Sequence, residues 1–406
     1  MSTEGRSAEP ASATSALESA GFVRLIARAD GDGLAASGLL ATALADRETP
    51  FQVTVGRTVT ERSERARSPT NEGDITVVVG TADTAAETDE IRLAGIDRPS
   101  TLEAVDLVRE LGATPDPVLA LAGVVAGGSD PGAGETEWLL ETALDRGLLE
   151  QRPGVAVPTG DPADGLAHST RVRAPWSGDL AATRDALSGA VDDESDALDA
   201  DDHRAIASLV ALDAVGAAEA TDAAAASIGR LLRPYATPSH AVATLGGLAD
   251  VLEALARTQP GTGTALAMGH DVRDAALDAW RERGRRAHAA LEGASTGRYD
   301  GLFVVGIDDG PVEAVAAIAA AYRSPEPAVL TVGNGAAAIA TREPEPLGAT
   351  VEGIARDLEG AEPDAETDAD ADVTDVEYDI GRRRGYLRYD GDVDDSAIIE
   401  AARDLL

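Results

Sequence analysis

An apolar run at residues 22–27 breaks at Asp30-Gly31-Asp32-Gly33 and resumes as a helix pattern of small residues at 34–44. This junction constrains the fold more than any other stretch. A buried strand that turns through glycine into a helix is half of a βαβ unit, and apolar runs at 51–55 and 75–79, the second ending at Gly80, supply strands to pair with it. Such alternation predicts an α/β fold with a parallel sheet and ligand loops at its carboxyl edge. Two carboxylates on one tight loop there suit a hard divalent cation. The same residues also suit capping of the following helix, or an anion at its N-terminus, which the paired negative charge opposes. The five histidines, His168, His203, His240, His270 and His288, all follow residue 167, so no earlier imidazole completes a mixed nitrogen and oxygen two-metal cluster.

Further along, Ser100-Thr101-Leu102-Glu103 reads as a capping box, with serine at N-cap, opening a helix to Leu111. An apolar segment at 119–126 ends in Gly127-Gly128-Ser129-Asp130, a helix follows at 138–146, and 165–179 reads as a loop. The acidic run 192–202 marks a linker. Helical spacing then dominates at 206–215, 223–232, 241–256 and 272–291. Alternating elements return with strands at 301–305, 328–331 and 336–340, a helix at 311–321, a hairpin at 376–389 and a last helix at 396–406. The expected organisation is a disordered tail (1–20), an α/β domain (21–190), an acidic linker with a helical connector (191–296), and a smaller C-terminal α/β domain (297–406) carrying an acidic insert at 359–375.

Charge speaks first about solvent. The chain sets 34 basic residues against 72 acidic ones, and every basic residue is arginine. This lysine-free acidic composition resembles that of proteins from extreme halophiles. An acidic balance ordinarily argues against nucleic acid, whose binding draws on counterion release, but multimolar salt removes most of that term and leaves local arginine clusters and stacking to act. Without cysteine there is no disulfide or thiolate metal site. No run approaches the roughly 18–20 apolar residues of a membrane span, and the N-terminus has no apolar signal core, so a cytoplasmic protein with no membrane partner is expected.

The strand followed by Arg28-Ala29-Asp30-Gly31-Asp32-Gly33 resembles the first motif of the DHH phosphoesterases, which include the single-strand-specific RecJ exonucleases. That motif is usually His-x-Asp-x-Asp-Gly, so Arg28 stands where histidine is expected and the two aspartates match. Where the family's second, third and fourth motifs would fall, this chain has Gly80 with Asp83 nearby, Asp97 alone, and two glycines before Asp130. The capped helix at Ser100, residues 165–170 and 175–179, and Gly246-Gly247-Leu248-Ala249-Asp250-Val251-Leu252 resemble the archaeal RecJ-like branch. The C-terminal part is similar to the DHH-associated domain. There the strand ending Ala340-Thr341-Arg342 matches one that usually carries a substrate-facing arginine, while the glycine-histidine signature is absent.

The resemblance implies a RecJ-like DHH-family protein of DNA replication or repair in a halophilic archaeon. Its metal ligands would be Asp30 and Asp32, enough for a single weak Mn or Mg site. With no imidazole ligand, it implies a nuclease-degraded subunit associating with GINS and MCM or with an active RecJ homologue. The alternative is an active single-strand exonuclease or oligonucleotide phosphodiesterase using Asp30, Asp32, Asp83 and Asp97 as an all-carboxylate site. Nucleic-acid contacts would fall to Arg342, Arg382, Arg383 and Arg384, with Arg388, Tyr386 and Tyr389 beside them and a second run at Arg281, Arg283, Arg285 and Arg286. For each arginine the plain alternative is pairing with one of the many carboxylates. For the four histidines other than His168 it is a surface or capping role, and His168 stands apart by lying in the loop of the first α/β domain.

Overall fold

The computed structural model describes residues 10–83, 90–190, 198–359, 376–389 and 393–406. In chain order the first elements are α1 (Pro10–Ser19), β1 (Phe22–Arg28), α2 (Gly31–Asp46), β2 (Phe51–Gly56), α3 (Val59–Arg67), β3 (Asp74–Val79) and β4 (Glu90–Leu93). There follow α4 (Ser100–Glu110), α5 (Pro117–Ala126), α6 (Glu137–Asp145), β5 (Glu150–Gln151), α7 (Pro162–His168), α8 (Leu180–Leu187), α9 (Ala200–Gly216), α10 (Asp222–Gly229) and β6 (Tyr235–Ala236). The last are α11 (Leu245–Thr258), α12 (Pro260–Ala267), α13 (Arg273–Glu292), β7 (Ser295–Tyr299), β8 (Leu302–Gly306), α14 (Val312–Tyr322), β9 (Ala328–Gly333), β10 (Ala336–Thr341), α15 (Gly348–Glu359), β11 (Val376–Ile380), β12 (Arg384–Tyr389) and α16 (Asp395–Leu405). The chain forms two compact units, Met1–Gly165 with Leu232–Glu282, and Leu166–Leu231 with Arg283–Leu406.

The first unit is built on a parallel sheet of order β2-β1-β3-β4, as expected of an α/β fold. β1 is central, and Leu25, Ile26 and Ala27 in it are buried. Helix α2 is buried over almost its whole length, packed against α4, α5, α11 and α12. Its small residues explain how four helices fit around one. A Cβ on Gly38 would lie 2.6 Å from Ala267 Cβ, and one on Gly123 of α5 would lie 2.2 Å from Thr101 Oγ1 and 2.5 Å from Ala35 Cβ. Side chains any larger would push the helices apart.

In the second unit a mixed sheet runs β11-β12-β10-β9-β8-β7, with β8 and β9 parallel and the other neighbours antiparallel. Helix α14 covers β9 and β10, and α15 packs on β11 and α16. Its apolar core includes Leu330, Ile339, Val351, Ile354, Leu387 and Ile398. The hairpin and the final helix lie where the apolar pattern places them.

Several details differ from the sequence expectation. Residues 1–9 of the tail lie outside the described residues, but residues 10–19 form helix α1 instead of disordered chain, because Ala13 and Leu17 find an apolar seat beside α4. The apolar segment before Gly127 is a helix capped by Asp116, whose carboxylate accepts the Val118 and Leu119 N–H groups at 2.8 and 3.3 Å. Helices of the expected connector divide: α10 packs on α14 in the second unit, while α11 packs on α2 and α5 in the first. Residues 191–197 of the acidic linker and 360–375 of the acidic insert lie outside the described residues. Among the described residues, no helix is long and apolar enough to cross a membrane.

Candidate functional site

With β2 on one side of β1 and β3 on the other, the loop after β1 opens at the point where strand order turns, the place where α/β sheets collect ligands. Asp30 leaves the strand in an extended conformation and caps α2, accepting the Gly33 N–H at 2.7 Å on Oδ1. Its Oδ2 lies 3.0 Å from Arg28 Nη1. Gly33 has to be glycine for this turn, since a Cβ would sit 2.5 Å from the Arg28 carbonyl oxygen. Between the aspartates, the Gly31 N–H donates to Glu253 Oε2 of α11 at 2.9 Å, and Glu253 in turn lies 3.5 Å from Arg257.

Asp32 turns the other way, into the protein. Its Oδ2 accepts the Ser100 N–H at 2.7 Å, and its Oδ1 accepts the Thr101 N–H at 2.9 Å and the Thr101 hydroxyl at 2.6 Å. These backbone donors belong to the first turn of α4, where helices leave N–H groups without internal partners, and the helix dipole favours a negative charge there. Asp32 therefore caps α4 from a distant part of the chain. Burial, then the neighbouring Asp30 charge, pushes its pKa up to about 6, and the bonds from Thr101 and Ser100 oppose that shift.

This arrangement corrects the expected capping box. Pro99, not Ser100, occupies the N-cap without a side-chain bond, because Asp32 already satisfies the donors a serine would have taken. Glu103 Oε1 instead accepts the Gly95 N–H at 3.3 Å, and burial pushes its pKa up to about 7.

The neighbouring strand ends explain why Arg28 fits. Gly80 has φ +96°, and a Cβ there would stand 2.9 Å from Arg28 Cβ. An aspartate at this strand end would be strained and would collide with the arginine side chain. Asp83 does not join the loop: its side chain is 91% exposed and lies 3.9 Å from Arg67. Asp97 is exposed as well. Among the described residues, no group of three or more His, Asp or Glu side chains gathers as a metal site. The donors at the loop do not fit a two-metal centre, for the Asp30 and Asp32 oxygens already serve Arg28, Gly33, Ser100 and Thr101.

The histidine of the 165–179 loop is a packing residue of the second unit. His168 is buried, and helix α13 crosses it so closely that a Cβ on Gly284 would lie 1.8 Å from its carbonyl oxygen. His288 is buried rather than on the surface, with Nε2 3.0 Å from the Ser169 carbonyl, and burial pushes its pKa down to about 4.

The arginines split into two kinds. On α13, Arg281 binds Asp164 at 2.9 and 3.0 Å and Asp278 at 2.8 Å, Arg286 binds Asp309 at 2.9 Å, and Arg283 is buried. That run is intramolecular pairing. Arg342, Arg382, Arg383 and Arg384 come together at one end of the C-terminal sheet, where Ala340 pairs with Arg384 and the Thr341 N–H donates to the Arg383 carbonyl at 3.0 Å. Arg388 is taken by Glu377 across the hairpin. Tyr386 and Tyr389 are core residues, with the Tyr389 hydroxyl donating to the Gly333 carbonyl at 3.0 Å, so their rings offer no stacking surface.

A parallel sheet in the first unit and a mixed sheet in the second make up an α/β fold with likenesses among solved structures. The structure of CDC45 from Entamoeba histolytica superposes with a TM-score of 0.58 at 7% identity, covering 97% of this chain and 96% of that one. A RecJ exonuclease bound to manganese is more distant, with a TM-score of 0.46 at 14% identity over 98% of this chain and 92% of that one. In sequence, the uncharacterized protein rrnAC1427 of Haloarcula marismortui is 42% identical over 367 residues, 89% of this chain and 92% of that protein. The family model for the C-terminal domain of rrnAC1427 matches residues 294–404. The chain belongs to the rrnAC1427 family.

Proposed function

We propose that this chain is a DHH-fold protein of DNA replication or repair that has given up two-metal phosphodiester hydrolysis and works through its contacts. The observation that carries this reading is the state of the β1–α2 loop. Asp32 is buried against three donors of α4, and Asp30 is held between the Gly33 N–H and the Arg28 guanidinium. Hydrolysis of this kind needs carboxylates free to hold two cations about 4 Å apart. Here a guanidinium fixed in the chain supplies the positive charge beside Asp30. A divalent ion on Asp30 and Asp32 would be single and weak, since it must displace Arg28 and compete with backbone donors.

Partners of the kind expected are GINS and MCM or an active RecJ homologue, and single-stranded nucleic acid would meet Arg342, Arg382, Arg383 and Arg384. The likeness of the fold to CDC45 supports the reading at the level of fold alone.

The test is a manganese-dependent nuclease assay on labelled single-stranded DNA and RNA at multimolar KCl, comparing the wild type with Asp30→Ala and with Asp30→Ala/Asp32→Ala. No cleavage by the folded wild type is expected. Cleavage that disappears in both variants while the fold survives would establish an all-carboxylate enzyme instead. A pull-down in the same salt that recovers no replication or repair protein would count against the contact role.

A further inference from the structure

In the second unit a cavity of about 250 Å³ opens among the 173–175 loop, the C-terminal end of α9, the 217–220 turn into α10, and the ends of α13 and α14. One side of it is small and apolar: Ala174, Pro175, Ala214, Ala217 and Ala218. The other side holds two arginines. The Arg173 and Arg323 side chains are only 9% and 11% exposed, and both reach the Glu292 carboxylate, Arg323 also that of Glu219. The acids face outward, with the Glu219 side chain 63% and that of Glu292 73% exposed. Hydrogen bonds pin the frame: Arg323 Nη1 donates to the Leu291 carbonyl at 2.9 Å, the Tyr322 hydroxyl to the Arg171 carbonyl at 2.7 Å, and Trp176 Nε1 to Asp213 at 2.8 Å.

Two charges of each sign meet here, so the cavity needs no further counter-charge. What it lacks is an acceptor. Arg323 Nε is buried and, among the described residues, has no hydrogen-bond partner. Nε and Nη2 lie on one side of a guanidinium and form the fork that takes a carboxylate by two parallel bonds. Glu219 bonds Nη2 and leaves Nε empty, so the fork is half used. A buried donor without an acceptor keeps its desolvation penalty, and a buried guanidinium is favourable only when its remaining protons are bonded. Arg173 offers more donors, for among the described residues it bonds only Glu292, through Nη2.

We propose that this cavity binds a small aliphatic carboxylate, which takes the place of Glu219 on Arg323 and closes the fork onto Nε. Exchanging one carboxylate for another keeps the charges even, and Glu219, already mostly in water, gives up little on leaving. The planar fork selects a carboxylate, and the alanine and proline wall selects a hydrocarbon body. The volume lies below the roughly 300 Å³ at which drug-sized sites begin, which limits that body to a few carbons. The site belongs to the other unit from the Asp30–Asp32 loop and is independent of the nuclease question. The competing explanation is that Arg173, Glu292, Arg323 and Glu219 form a closed ion-pair network that only ties α13 and α14 to the 217–220 turn.

Ligand-observed NMR titration of the full chain with butyrate, and with uncharged butyramide, at constant KCl separates these explanations. Butyrate is expected to bind and butyramide to stay free. Glu219→Ala removes the internal competitor and should tighten butyrate by about 2- to 5-fold, the worth of an exposed ion pair. Arg323→Lys has no fork and should weaken it by about 10-fold or more. Arg323 is buried, so its variant is read only where a thermal midpoint shows a folded protein; Glu219→Ala, on the rim, carries the test where it does not. Butyrate bound equally by the wild type, Glu219→Ala and folded Arg323→Lys is an adventitious additive only and overturns the inference, as does butyramide bound as well as butyrate. No binding by either the wild type or Glu219→Ala overturns it too, and a lower thermal midpoint in that variant then identifies the closed network.

Discussion

At the carboxyl edge of the N-terminal sheet, Arg28 lies 3.0 Å from Asp30, Glu253 accepts the Gly31 N–H while lying 3.5 Å from Arg257, and Asp32 is held by the neutral donors of Ser100 and Thr101. At the end of the C-terminal sheet, burial and the charges of Arg230, Arg382 and Arg384 hold the Arg383 guanidinium below its ordinary pKa, while Glu343 opposes them. The first corner has the motif of an active site and the interactions of a structural joint. The second has no recognisable motif and gathers arginines beside Glu343. Carboxylates next to helix N-termini are drawn into capping unless a metal competes for them, whereas guanidiniums crowded on one edge repel each other.

The largest test of this contrast is Asp32→Ala. It strands the Ser100 and Thr101 N–H groups inside the protein, and we expect a loss of about 2–4 kcal/mol in denaturant unfolding at fixed KCl. A loss below about 0.5 kcal/mol would mean that the cap is dispensable and would return the aspartate to the metal reading. Next comes Gly123→Val, whose side chain must enter the space shared by Thr101 and Ala35; overpacking there should cost about 1–3 kcal/mol, read as a lower midpoint of unfolding. An unchanged midpoint would show that α2, α4 and α5 are not wedged together by small residues.

A smaller effect is expected of Arg28→Ala, which leaves Asp30 without its guanidinium and should cost about 1 kcal/mol. It also opens the loop to cations, so manganese should raise the thermal midpoint of this variant and leave the wild type unmoved. A manganese shift in the wild type that disappears in Asp30→Ala would break the contrast between the two corners. A pH-dependent effect belongs to Glu103→Gln. Because the folded pKa of Glu103 lies above its unfolded value, its contribution is fully present below about 4.5 and is lost as pH rises through about 7. The wild type should therefore lose stability across that window relative to Glu103→Gln, as unfolding at several pH values would reveal. Parallel pH profiles would remove Glu103 as the cause.

Much of the fold was legible. The strand, loop and helix around Asp30 and the C-terminal hairpin follow from apolar periodicity and glycine placement, which act over a few residues. The candidate site was legible only in part. Asp30 and Asp32 stand on the expected loop, but nothing near them in the chain announces Ser100 and Thr101, which lie 68 and 69 residues away. A signal was nevertheless present in the pairing of Arg28 with Gly80: a long cation replaces the expected imidazole, and a glycine makes room beside it. The tyrosines of the hairpin show the opposite limit. Tyr386 shares a face of β12 with Arg384 and Arg388, since residues two apart point the same way, yet it is buried where they are not.

Taken alone, the sequence determines the α/β class, the parallel sheet with its loop at the carboxyl edge, the crowding of small residues on α2 and the arginine-only positive charge. These are local matters, set by side-chain size, period and backbone freedom within a few residues. Only the tertiary structure decided that Asp32 caps α4 and that Arg28 closes on Asp30. Whether a carboxylate or a guanidinium is used inside the protein or left for a ligand depends on which distant donors and charges the fold carries to within a few ångströms of it.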